Sequence, residues 1–152
     1  MYETVLLVHS WVRWAIVLLG LLAVFRAVTG WAGARPWTAA DDKAGLFFMI
    51  ALDLQLLLGL LLYFAFSPLT ALAMDDFGGA MRTGLRYWAV EHPFGALVGI
   101  VLAHVGRVRI RKTADLVRRH RLAAIFFGLA LVAILLAVPW PGTSNARPLF
   151  PR

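Results

Sequence analysis

Apolar residues in this chain gather into four runs, Val5–Val28, Leu46–Phe66, Tyr87–Val108 and Leu122–Trp140, separated by shorter polar stretches. Each run meets or approaches the ~20 residues a helix needs to cross a ~30 Å hydrocarbon core. In that solvent the backbone must close its own hydrogen bonds, so helices are the expected form. The pattern predicts an all-α fold, an integral membrane four-helix up-and-down bundle with helices at about 5–28, 46–66, 85–110 and 120–139. Punctuation agrees: Gly30, Gly33 and Pro36 close the first helix, and Thr38 or Asp41 caps the second. Ser67-Pro68 stops the second helix, and Pro139 and Pro141 end the fourth. Residues 67–86 leave room for a short helix lying on the membrane surface.

Composition sharpens this picture. A hydrophobic fraction of 61% in 152 residues leaves no room for a second globular domain, so residues 1–152 read as one membrane domain. The first run is too long for the h-region of a cleavable signal peptide and reads as a span. The net charge of +7 suggests nucleic acid until the basic residues are placed. They collect beside the apolar runs, so the expected polar partner is membrane lipid and not nucleic acid. Arg107, Arg109, Arg111, Lys112, Arg118, Arg119 and Arg121 face only Asp115 in residues 107–121, and Arg26, Arg35 and Lys43 flank the first loop. The positive-inside rule then makes loops 29–45 and 107–121 cytoplasmic and puts both termini outside. In a bacterium this is a multi-pass inner-membrane protein with its termini in the periplasm. Six tryptophans near helix ends read as headgroup-level anchors. The absence of cysteine excludes disulfides, thiolate metal sites and iron–sulfur ligation.

Polar residues inside the runs carry the candidate chemistry. His9 lies about one turn inside the outer end of helix 1, and His92 lies early in helix 3, which enters from the same side. Two imidazoles at matched depth on separate helices are what a bis-histidine haem requires. From His92, the positions Gly95, Ala96, Gly99, Ala103 and Gly106 fall within ~60° of the histidine on a helix turning 100° per residue. Such a stripe admits either a flat macrocycle or a neighbouring helix. Arg13, one turn deeper than His9, could hold a haem propionate. Cofactor-binding candidates are therefore His9, His92, Arg13, Gly95 and Gly99, with His9 and His92 as ligands to the haem iron.

Arg13, Asp53 and Glu91 form a second constellation. Asp53 is near the midplane of helix 2, where a bare carboxylate costs ~2.5–3.5 kcal/mol on insertion scales. Helix registers put Arg13 about 6–7 Å in depth from each acid. Ion pairing to Arg13 is one reading; a proton path or a quinone-headgroup contact is the other. His104 and His120 lie toward the inner side, and a second haem there would need them to face each other. No clustered metal-ligand spacing, phosphate loop, dinucleotide fingerprint or nucleophile elbow is present.

The strings HSWVRW at His9–Trp14, LQLLLGLLLYF at Leu54–Phe64, VEHP at Val90–Pro93 and AVPWP at Ala137–Pro141 together resemble a family. It is a group of small four-helix bacterial membrane proteins described as cytochrome b-like, and the likeness runs along nearly the whole chain. It implies a membrane b-type cytochrome, with His9 and His92 on the family's histidine positions. One departure is Asp53, where that pattern often has a histidine two residues before the glutamine. The leading expectation is an electron-transfer protein holding haem b between helices 1 and 3 near the outer face, exchanging electrons with quinol or a protein partner. The alternative is a non-catalytic accessory subunit without haem, packed against other membrane subunits. A third expectation is a proton-coupled or quinone-binding carrier that uses Asp53 and Glu91.

Overall fold

The computed structural model describes residues 1–150, and among them it is all-helical. Helix α1 runs Tyr2–Ala32. Helix α2 runs Ala39–Leu61 and continues as a π-helical turn, Leu62–Phe66. Two short helices follow, α3 at Pro68–Asp75 and α4 at Phe77–Ala80. A second π-helical turn, Tyr87–Glu91, leads into α5 at His92–Lys112, and α6 occupies Leu116–Ala137. Four of these helical stretches, Tyr2–Ala32, Ala39–Phe66, Tyr87–Lys112 and Leu116–Ala137, are long and apolar enough to cross a membrane. The chain is thus a multi-pass membrane protein by the length and composition of its helices. Its outward surface agrees, with Leu18, Phe25, Phe64, Val101 and Leu136 all well exposed.

Helix ends follow local chemistry more closely than they follow hydropathy. Helix α2 begins seven residues before its apolar run (46 less 39) because Thr38 and Asp41 form a capping box. The Thr38 backbone N–H donates to Asp41 Oδ2 at 2.8 Å, and the Asp41 N–H donates to Thr38 Oγ1 at 3.4 Å. Asp115 starts α6 by accepting from the N–H groups of Val117 and Arg118. The short surface helix expected in residues 67–86 is α3. Ser67 caps it, and Pro68 occupies its first turn, where a missing N–H costs nothing.

The tightest helix pairs are α5 with α6, α1 with α2 and α1 with α6, whereas α2 and α5 meet over a shorter stretch. The bundle is therefore open along the α2/α5 seam. Its core is built from Ile16, Phe48, Leu52, Ile100, Ala103, Phe127 and Leu131, with Phe48 and Phe127 in edge-to-face contact at 5.9 Å. Small residues set how closely the helices approach. A Cβ at Gly99 would lie 2.8 Å from Ile134 Cγ1 and 3.0 Å from the Ala130 carbonyl oxygen on α6. A Cβ at Gly95 would lie 3.1 Å from the Ala137 Cβ.

The two ends of the bundle differ. At the basic end, buried Arg107 forms a fork on Asp42, with bonds of 2.9 and 2.8 Å, and also donates to the Asp42 carbonyl at 3.0 Å. Arg26 pairs with Asp41 at 2.9 Å. His120 is fully buried there, its ring 4.9 Å from that of Trp37 and pressed on Gly30. At the other end, residues 141–150 fold back over the helix mouths. Leu149 accepts hydrogen bonds from Arg13 at 2.9 Å and Trp14 at 3.0 Å, and Phe150 stacks on Trp14 at 5.3 Å.

Candidate functional site

A cavity of about 530 Å³ lies in the half of the bundle nearest the termini, walled by α1, α2, α5, α6 and both π-helical turns. Its size falls within the range of ~300–1,000 Å³ common to small-molecule and cofactor sites. Most of its lining is aliphatic or aromatic, and a few polar side chains converge in it: His9, Ser10, Arg13, Gln55, His92 and Arg147.

His9 and His92 come together, with ring centroids 6.2 Å apart and planes inclined at 66°. Each ring is held by a different partner. His92 Nδ1 donates to the Ala137 carbonyl at 2.7 Å; a carbonyl only accepts, so the proton sits on Nδ1 and Nε2 presents a lone pair. That carbonyl is free because its helical partner four residues on is Pro141, which has no N–H. Tyr87 Oη donates to the same oxygen at 2.7 Å. The π-helical turn explains the pairing: its i to i+5 bonding brings residues five apart nearly into line, so Tyr87 and His92 reach one acceptor.

On the facing helix, His9 Nε2 lies 3.2 Å from the Gln55 amide nitrogen. His9 Nδ1 has no partner although it is buried, and the same holds for Gln55 Oε1 and Arg13 Nε. Among the described residues, three of the four such orphaned side-chain atoms border this cavity; the fourth is His120 Nδ1. Rotating the Gln55 amide puts its oxygen on His9 Nε2–H and leaves the Nδ1 lone pair unused. In either orientation Nδ1 lacks a partner. A buried polar group without a bond costs on the order of 1–3 kcal/mol, so the cluster marks a place where a polar or metal-bearing ligand would repay its binding.

Several expected contacts are absent. Arg13, Asp53 and Glu91 do not assemble. Arg13 spends its bond on the Leu149 carbonyl, Glu91 pairs with Arg86 at 2.6 Å, and Asp53 pairs with His104 at 3.3 Å. Helix phase is the cause. Phe48, Leu52, Gln55 and Gly59 form the inward face of α2, and Asp53, two residues from Gln55, is turned ~200° away. Glu91 is likewise one step off His92 and falls outside. Gly95 and Gly99 face α6, as their close approaches to Ala137 and Ile134 show, so the stripe serves helix packing rather than the cavity wall. His104 and His120 do not face each other: His104 looks toward Asp53 on α2, and His120 toward Trp37 and the Pro36 carbonyl.

Gln55, Tyr87 and the Ala137 carbonyl were not anticipated as site groups. The signal for Gln55 was present in the spacing of Gly45, Phe48, Leu52 and Gly59, which marks its face of α2 as the packed one. Pro141 signalled a carbonyl without a helical partner but not what would bind it. Protein-family models, curated protein sequences and solved structures give no match to this chain.

Proposed function

We propose that this chain is a membrane electron-transfer protein, b-type cytochrome-like, that holds one haem b between His9 of α1 and His92 of α5. The observation that carries the reading is the imidazole pair beside the cavity. Two ring nitrogens each about 2 Å from one metal leave their ring centroids roughly 6 Å apart, and His9 and His92 stand at 6.2 Å. The buried, partnerless His9 Nδ1 and the fixed Nδ1–H of His92 fit a donor set waiting for a shared acceptor. When bound, haem b supplies a one-electron iron couple.

This chain's own residues do the rest. The Ala137 carbonyl fixes the ring of His92 and raises its basicity, and Gln55, with its amide rotated so that the oxygen accepts from His9 Nε2–H, does the same for His9. Arg13 offers its unused Nε to a carboxylate at the cavity edge. Residues 141–150 shield that edge from water. Gly95 and Gly99 have no part in this assignment. Electrons pass to or from quinol or a protein partner. By the positive-inside rule the cavity lies in the outer half of a bacterial inner membrane, with loops 29–45 and 107–121 in the cytoplasm.

The test is haem stoichiometry and the oxidised and dithionite-reduced optical spectra of protein purified from cells supplied with haem. One haem per chain with a sharp reduced α band is expected, and it is lost in His9→Ala and His92→Ala while helicity is retained. Folded, colourless wild-type protein rejects the reading.

A further inference from the structure

The least expected placement in the molecule is Asp53. It lies near the middle of the spanning helix Ala39–Phe66, and its side chain is 51% exposed. Its partner His104 is 41% exposed, on the opposite wall of the open α2/α5 seam. His104 Nδ1 donates to the Ile100 carbonyl at 3.0 Å, which turns Nε2 toward the Asp53 carboxylate, 3.3 Å away. The contact sets one acidic and one basic group side by side across the seam. Among the described residues Asp53 has no other polar partner, so half of its side chain is left uncovered at the depth of the hydrocarbon. Water does not satisfy it there, and intramembrane ionisable groups face protein or a wet cavity almost without exception. Around the pair, Ile50, Leu54 and Leu57 on α2 and Val101 and Val105 on α5 give an apolar rim.

We infer that the Asp53–His104 pair is the centre of a self-association surface through which two copies of this chain pair in the membrane. The occupant follows from symmetry. A twofold axis along the membrane normal reverses any vector lying in the membrane plane. The Asp53-to-His104 direction, which runs across the seam from α2 to α5, is therefore inverted in the second copy. Each Asp53 then faces His104 of the other copy, so acidic and basic groups alternate around the contact. A patch carrying one acidic and one basic group at the same depth is complementary to itself, whereas a single charge would require an unrelated partner. This inference is independent of haem.

The chain has no cysteine, which allows a clean test in native membranes. Leu57 and Val101 each lie one turn from the pair toward the terminal end and are 56% and 57% exposed. Leu57→Cys or Val101→Cys, treated with a short bis-maleimide, is expected to give a crosslinked species of twice the 16.8 kDa chain mass. Yield should be several-fold above that of Leu18→Cys on α1 or Leu136→Cys on α6, which face elsewhere. Adding Asp53→Leu with His104→Leu, which removes both groups together and leaves neither unpaired, is expected to abolish the difference. Mixed tagged and untagged copies purified in mild detergent should co-elute only when the pair is intact. Equal yields at all four cysteines, or no crosslinked dimer from the seam cysteines, overturns the inference. So does a seam adduct whose mass is not that of two copies, or a dimer that persists in the double leucine variant.

Discussion

The packing role of the α5 stripe makes a quantitative prediction when two glycines are compared. Gly99 and Gly128 are both interior positions of spanning helices, so replacing either with alanine brings the same gain in helix propensity, about 1 kcal/mol. Their surroundings differ. At Gly99 the new methyl would lie 2.8 and 2.9 Å from Ile134 side-chain carbons and 3.0 Å from the Ala130 carbonyl oxygen. Ile134 can rotate, but the Ala130 oxygen belongs to the backbone of α6 and yields only if the helices separate. At Gly128 nothing lies within 4 Å of the added carbon. Overpacking of this kind costs ~1–3 kcal/mol. The propensity gain cancels in the comparison, so Gly99→Ala should be less stable than Gly128→Ala by about that amount. Unfolding in mixed micelles with increasing fraction of denaturing detergent, followed by helicity, measures the difference directly. Gly128→Ala is expected to match or exceed wild type. Equal midpoints for the two variants would refute the close α5–α6 contact and return the stripe to the cavity.

Three further outcomes follow from the same contacts. Thr38→Ala removes the side-chain half of the α2 capping box and should cost ~0.5–2 kcal/mol in the same unfolding assay, with fraying confined to residues 39–43 in hydrogen exchange. Arg13→Leu leaves Trp14 as the lone donor to the Leu149 carbonyl, so residues 141–150 should lose hydrogen-exchange protection while the spanning helices keep theirs. Unchanged protection of that segment would contradict its being held by Arg13. Gln55→Leu deprives His9 Nε2 of its only partner and should weaken haem retention by roughly 10–100-fold, the usual penalty for losing an outer-shell bond. Asp53→Asn should leave retention as it is, because Asp53 faces away from the cavity.

Much of the fold could be read from hydropathy because the bilayer imposes one length scale on every span. The depth of His9 and His92 followed from topology alone, and that is why their proximity was foreseeable. Rotational phase was harder. A lipid-facing side of a helix is as apolar as its packed side, so periodicity in α2 does not say whether Asp53 or Gln55 looks inward. Small residues carry that information: Gly59, four residues from Gln55, lies within ~40° of its phase and ~120° from that of Asp53. The same small residues misled in α5, since a glycine stripe serves a flat ligand and a neighbouring helix equally well, and here Ala130, Ile134 and Ala137 occupy the space. Arg13 was judged by its reach toward acids, yet it is engaged by a backbone carbonyl 136 residues away in sequence. Contacts to loop carbonyls leave no residue-type signature.

The claim on which the functional reading depends is that His9 and His92 bind one metal centre together. Electron paramagnetic resonance of the oxidised, haem-loaded protein reports this most directly, because two imidazole ligands make ferric haem low-spin, and a single one leaves it high-spin. A low-spin signal in wild type that turns high-spin or vanishes in both His9→Ala and His92→Ala is the expected result. A high-spin wild-type spectrum, or a low-spin spectrum indifferent to either substitution, contradicts the shared site.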